Sequence, residues 1–182
     1  MKIIDSIKIS VFALTTMMLM ANADAEQTLL TGGGWTLSSD CESMYKCSTI
    51  KSSGGGELAR IDFPYAPVSA RETRGVIEVL YSCGTECSAT YFILSNNSIS
   101  GPYSLVDSID YEKGTLLSVG KRDFKLYRFL PPTKSAIKVV NVDIPKNTTL
   151  PSRVIGSRLV NHVYLVRVKG KNDKIENIRI DQ

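Results

Sequence analysis

Short strand-like runs separated by turn residues are the feature of this sequence that most restricts its fold. From residue 58 onward, runs rich in β-branched and aromatic residues, such as 76–82 and 88–95, alternate with segments rich in Gly, Pro, Asn and Asp. Turn signals recur roughly every 8–12 residues. No stretch has a convincing 3.6-residue apolar period, although 66–74 has room for one short helical turn. The pattern is typical of a meander of short antiparallel strands.

We therefore predict an all-β fold, in which an antiparallel meander packs as a sandwich, a barrel or propeller-like sheets. The sequence does not discriminate among these three packings. Residues 26–57 look irregular and are predicted to form a disulfide-bracketed N-terminal segment. Its glycine triplets at 32–34 and 54–56 are interpreted as flexible turns. Trp35, the single tryptophan, is predicted to fill the core beneath this segment.

The N-terminus has the three parts of a secretory signal peptide. Two lysines precede an apolar run over 9–21, and small residues at A-x-A spacing follow it. The run is shorter than the roughly 20 residues that a membrane-spanning helix needs. We predict that 1–25 is removed, with Ala23 as the alternative last residue, and that 26–182 forms a single β-rich domain. The expected location is periplasmic or secreted, without an integral membrane segment after cleavage.

The four cysteines all lie within the predicted mature chain, at Cys41, Cys47, Cys83 and Cys87. An even number of cysteines in an exported chain predicts disulfides. We predict the local pairs, 41 with 47 and 83 with 87. The second pair brackets a three-residue loop, whose flanking residues face each other at about the 5.5 Å Cα separation that a disulfide prefers. Zinc binding is disfavoured because the spacing between the cysteines differs from that of the usual ligand pairs.

Charge is distributed unevenly along the chain. Residues 26–120 contain 6 Lys or Arg and 11 Asp or Glu, a net charge of −5, whereas 121–182 contain 14 and 5, a net charge of +9. A basic C-terminal region suits contact with an acidic protein surface, an anionic envelope polymer or lipid headgroups. The alternative is a solvated strand face whose Lys and Arg residues keep sheet edges from aggregating.

No motif predicts a specific reaction. His162, the single histidine, is interpreted as a strand residue and not as a catalytic base. The acids at Asp107, Asp110 and Glu112 cluster near a turn, where solvated carboxylates are common. An S-x-x-K match at 43–46 lacks the accompanying elements of penicillin-recognising enzymes. We therefore assign no catalytic residue, no metal ligand and no cofactor.

These observations favour an exported, non-enzymatic protein-binding domain, such as an inhibitor or an immunity protein against an envelope-targeting toxin or enzyme. The expected partner is another protein with an acidic surface, and nucleic acid is not expected outside the cytoplasm. The alternatives are a His-independent hydrolase or lyase acting on an envelope polymer, and a structural component of an envelope assembly. The residues predicted for partner contact are Gly84, Thr85, Glu86, Lys121, Arg122, Lys125, Arg128, Arg167, Lys169 and Lys171.

Overall fold

The computed structural model describes residues 26–43, 45–133 and 135–182, so the predicted signal peptide lies outside the described residues. This part of the chain forms fifteen β-strands and a 3-10 turn at Pro151–Arg153. Within it, no helix has the length and apolar character needed to cross a membrane. The strands are β1 (Gln27–Gly32), β2 (Trp35–Ser43), β3 (Lys46–Ser53), β4 (Gly56–Phe63), β5 (Pro67–Thr73), β6 (Val76–Gly84), β7 (Cys87–Ile93), β8 (Ile99–Ser104), β9 (Val106–Asp110), β10 (Thr115–Val119), β11 (Asp123–Arg128), β12 (Lys138–Asn141), β13 (Val154–Val160), β14 (Val163–Lys169) and β15 (Ile175–Asp181).

The strands divide into four antiparallel sheets, each built from consecutive strands. The first sheet contains β1 to β4, the second β5 to β8, the third β9 to β12 and the fourth β13 to β15. Within each sheet the strands lie side by side in chain order. Sheets of this kind form because a strand pairs most readily with its neighbour along the chain. The predicted all-β antiparallel meander is confirmed.

Three apolar clusters lie between successive sheets. The cluster between the first two sheets contains Leu37 and Tyr81, which are fully buried. The cluster between the second and third sheets contains the rings of Phe92 and Phe129, stacked with centroids 4.3 Å apart. Each sheet therefore packs against the next one in chain order. The cluster between the third and fourth sheets includes Leu117, Phe124, Leu126, Tyr164, Val166 and Ile180.

Most of the described residues between 26 and 57 lie in the regular strands β1 to β4, so the predicted irregularity of this segment is wrong. The glycines at 33–34 and 54–55 are two-residue hairpin turns that connect β1 to β2 and β3 to β4. At 54–55 both backbone φ angles are positive, 56° and 82°. A two-residue turn of this type needs positive φ at both positions, which glycine adopts without a steric penalty. Trp35 packs, half-buried, against the cluster between the first two sheets.

Both predicted disulfides are present. Cys41 lies directly opposite Cys47 in the β2–β3 pair, with Cα atoms 4.0 Å apart. Cys83 and Cys87 have Cα atoms 5.1 Å apart at the end of the β6–β7 hairpin. Cys87 pairs with Gly84, and the strand register shifts between Ser82 and Gly84. The loop therefore has two residues, at 85–86, and not the predicted three. Each bridge therefore closes a local ring within one sheet.

Candidate functional site

Asp110, the last residue of β9, is a buried carboxylate with several hydrogen-bond donors around it. Its side chain is 3% exposed. Oδ1 accepts hydrogen bonds from the backbone N–H groups of Glu112, at 2.9 Å, and Lys113, at 3.1 Å. Oδ2 lies 2.7 Å from Nδ1 of His162 and accepts a 2.8 Å hydrogen bond from Nε2 of Gln182. The first two bonds shape the β9–β10 turn, and the last two connect the third sheet to the fourth.

His162 lies in a two-residue turn between β13 and β14, so its interpretation as a strand residue is wrong. The turn consists of Asn161, with a φ of 48°, and His162, with a φ of 64°. Glycine is favoured at such positions because a Cβ makes positive φ costly, although Asn and His tolerate it better than most residues. Strained positions of this kind cluster at functional sites. The strain and the bond to Asp110 together make His162 a site candidate.

Three hairpin turns from three different sheets meet around the imidazole ring. Glu112, in the β9–β10 turn, accepts a 2.7 Å hydrogen bond from Arg74 in the β5–β6 turn. Its other carboxylate oxygen lies 3.5 Å from Nε2 of His162. These side chains border a cleft of about 380 Å³, which we call the histidine cleft. The fold thus brings His162 together with Asp110 and Glu112. Asp107, the third acid that the sequence places near this turn, is exposed on β9.

The hydrogen bonds at Asp110 determine the protonation of this cluster. Burial by itself would raise the pKa of Asp110, but hydrogen bonds from His162, Gln182 and the two backbone N–H groups lower it below 3.8 on balance. The carboxylate is therefore anionic at neutral pH and only accepts hydrogen bonds, so Nδ1 of His162 carries a proton. Nε2 faces Glu112 and can take part in proton transfer. Among the described residues, no group of three or more His, Cys, Asp or Glu could hold a metal ion.

The outer face of the fourth sheet is a second candidate site. Strand pairing places Arg158 and Arg179 on either side of Leu165, and Arg167 lies one pair further along β14. The alternate residues of β14 point into the core, so these three guanidinium groups lie on the opposite, solvent-facing side. They border a hollow of about 470 Å³. We call this surface the basic face; it comprises Arg158, Leu165, Arg167, Lys169, Asn177 and Arg179.

The guanidinium groups of the basic face are mostly available to a ligand. Arg179 pairs with Asp181 at 2.8 Å. Arg158 and Arg167 are exposed, and neither forms an ion pair with another residue of the described ranges. A free guanidinium presents a planar array of N–H donors that matches a carboxylate. Val160, which is 41% exposed, adds apolar surface beside them.

The residues predicted for partner contact lie at three separate places and not on one surface. Glu86 accepts a hydrogen bond from Thr149 at 3.2 Å, and Arg122 donates to the carbonyl groups of Ile144 and Pro145. These two side chains therefore hold neighbouring loops. The binding role of the whole set stays a prediction. The hairpin tip carries Gly84, Thr85 and Glu86; the β10–β11 turn and β11 carry Lys121, Arg122, Lys125 and Arg128; the fourth sheet and its last turn carry Arg167, Lys169 and Lys171.

Sequence reasoning missed Arg158, Arg179, Arg74 and Gln182. A signal existed for Arg179, which lies between Ile178 and Ile180 and so belongs to an outer face, whereas Arg158 follows a serine and lacks this alternation. Their position on either side of β14 depends on strand register, which the sequence does not specify. Arg74 and Gln182 carried no local signal, since both act on residues of another sheet.

Comparison with known proteins identifies no family. No family model matches the chain, and no curated protein matches it. Among solved structures, the computationally designed Ika4 protein is similar, with 10% sequence identity and a TM-score of 0.39 over 89% of this chain and 95% of that chain. A TM-score at this level carries no inference about fold or function.

Proposed function

We propose that this chain is an exported, non-enzymatic binding domain whose basic face recognises an acidic surface of another protein. The observation that carries the proposal is the pair of exposed guanidinium groups, on Arg158 and Arg167, that have no ion partner among the described residues. Arginine beside exposed apolar side chains is typical of protein–protein interfaces. An inhibitor or an immunity protein against an envelope-targeting toxin or enzyme is the specific form that we favour.

The charge distribution and the disulfides support the same proposal. The chain from 121 to 182 has a net charge of +9, and a field of this sign accelerates the approach of an acidic partner. Disulfides are typical of extracellular or periplasmic proteins, and both predicted bridges are present. A periplasmic or secreted location is therefore part of the proposal.

Charge reversal on the basic face tests this function. The oxidised chain is immobilised and exposed to the envelope and secreted fractions of the cells that produce it. Arg167→Glu is compared with Lys146→Glu, which makes the same charge change in an exposed loop outside the basic face. We expect one partner at fixed stoichiometry on the wild type and on Lys146→Glu, released as salt rises past about 0.15 M. Arg167→Glu should weaken retention at least about tenfold; equal retention by both variants contradicts the proposal.

A second candidate function is hydrolysis of an envelope polymer, supported by the histidine cleft. The observation in its favour is the bond between Asp110 and Nδ1 of His162, which orients Nε2 toward the cleft as in acid–base catalysis. The enzyme proposed from the sequence was independent of histidine, whereas this version requires it. His162→Ala should abolish turnover of cell-wall digests, and Asp107→Asn should leave it unchanged. Turnover that survives His162→Ala removes this candidate.

A further inference from the structure

Among the residues that the structure describes, the fourth sheet has one strand fewer than each of the other three. Each of the first three sheets has four strands, whereas the fourth has β13, β14 and β15. Among the described strands, β15 pairs only with β14, so its other edge is open. Ile178 of β15 is half-buried against the core between the third and fourth sheets. A further strand on this edge would extend the cover over that core.

The turn at 161–162 determines which backbone groups of β15 face the open edge. In a two-residue hairpin the flanking residues, here Val160 and Val163, exchange both of their backbone hydrogen bonds. The N–H and C=O groups of Val163 therefore point toward β13 and away from Asp181, its partner on β15. The carbonyl group of Asp181 accepts a 3.0 Å hydrogen bond from Lys138 of β12, as expected for a group that points away from β14.

The same orientation holds for every second residue of β15, because backbone direction alternates along a strand. The N–H groups of Ile175, Asn177 and Arg179 therefore point to the open edge, where no strand of the described ranges pairs with them. Asn177 and Arg179 also lie on the basic face, opposite Arg167 and Leu165. The open edge and the free guanidinium groups are therefore parts of one continuous surface.

We propose that β15 is a strand-accepting edge, and that an extended acidic segment of the partner protein pairs with it as a fourth strand. This inference rests on the proposed function, since the basic face selects the charge of the segment. Side chains of an added strand alternate between the two faces. On the side of the basic face, the side chains of the added strand lie beside Arg179, so this inference requires them to be acidic. On the other side they lie beside Ile178, so it requires them to be apolar. The charge of Arg179 also discourages pairing with a neutral or basic strand.

A pair of synthetic peptides tests the edge directly. One peptide alternates Glu and Val over ten residues; the other has the same composition with its Glu and Val residues in separate blocks, so that only the first presents one acidic and one apolar side. Fluorescence anisotropy measures the binding of each to the oxidised chain. We expect the alternating peptide to bind at least about tenfold more tightly. Equal affinity, or no binding of the alternating peptide up to about 1 mM, overturns the inference.

Two substitutions separate the edge from the charge. Asn177→Pro removes one outward N–H group and no bond to β14, and Asn177→Ala is its matched control. We expect about a tenfold loss of peptide affinity for Asn177→Pro relative to Asn177→Ala. Equal affinity in these two variants, with a loss in Arg167→Glu, rejects strand addition and leaves the basic face as the binding site. Undiminished affinity in Arg167→Glu contradicts the proposed function itself.

Amide hydrogen exchange gives a second measurement on the wild type, which decides the question if Asn177→Pro does not fold. Binding of the alternating peptide should slow exchange at the N–H groups of Asn177 and Arg179, because these groups acquire a hydrogen-bond acceptor. The N–H groups of Glu176 and Ile178 already face β14 and should change little. Equal protection at all four positions, or none, contradicts strand addition.

Discussion

Replacement of Asp110 by alanine should be among the more destabilising single changes on this chain's polar residues. The substitution removes the acceptor of four hydrogen bonds, two from backbone N–H groups and two from the side chains of His162 and Gln182. A hydrogen bond to a charged group contributes about 1.5–3 kcal/mol. After the substitution, water can replace some of these hydrogen bonds, since the side chain of His162 is 39% exposed. We therefore expect the free energy of unfolding to fall by about 2–4 kcal/mol at pH 7.

Urea denaturation measures this loss. With a urea dependence of about 2 kcal/mol per M, a loss of 3 kcal/mol lowers the midpoint by about 1.5 M. Asp107→Ala is the control, because this exposed carboxylate lies on the same strand, and it should change stability by no more than about 0.5 kcal/mol. A loss below about 1 kcal/mol for Asp110→Ala would refute the argument that this carboxylate holds the third and fourth sheets together.

The same pair of proteins should differ in pH dependence. The pKa of Asp110 is lower in the folded chain than its ordinary 3.8, because hydrogen bonds to the carboxylate outweigh burial. Its contribution to stability is therefore fully present above pH 3.8 and is lost as pH falls through the lower, folded pKa. The difference between wild type and Asp110→Ala should shrink as pH falls below about 4. A difference that grows below about pH 4 contradicts the lowered pKa.

Three further changes test the fold. Gly114→Ala should lower the free energy of unfolding by more than about 1 kcal/mol, because the φ of Gly114 is +62° and the new Cβ would lie 2.5 Å from a carbonyl oxygen. Its control is Gly33→Ala, where a Cβ would have no atom within 4 Å. In urea denaturation this control should stay within about 0.5 kcal/mol of wild type. Tyr81→Phe removes a buried 2.7 Å hydrogen bond and should lower the free energy of unfolding by about 1 kcal/mol. Joint replacement of Cys83 and Cys87 by serine opens a small ring, so thermal denaturation should show a loss of no more than about 2 kcal/mol.

Turn chemistry explains both the successes and the errors of sequence prediction for this fold. The strand-like runs after residue 58 were separated by clear turn residues, and that part of the meander was predicted well. The glycine pairs at 33–34 and 54–55 were interpreted as flexible, although two glycines are a strong signal for a two-residue hairpin. The turn at 161–162 was missed because its second residue is His, where glycine is usual, so 158–168 looked like one long strand.

Residue spacing also accounts for what was predicted of the sites. The disulfides were assigned correctly because each closes over a few residues, and only local geometry decides such a ring. The histidine cleft was not predicted, since Asp110 is 52 residues from His162 and 72 from Gln182. Each of these residues has an ordinary sequence environment, and none by itself indicates a site.

The sequence by itself determined the all-β class, the alternation of strands and turns over most of the chain, and both cysteine pairs. These depend on backbone preferences and ring closures that act over a few residues. Only the tertiary structure decided which sheets face each other, where Asp110 meets His162, and how Arg158 and Arg179 come to flank Leu165. Those outcomes depend on strand register and sheet packing, which sum many weak contacts between residues that are distant in the chain.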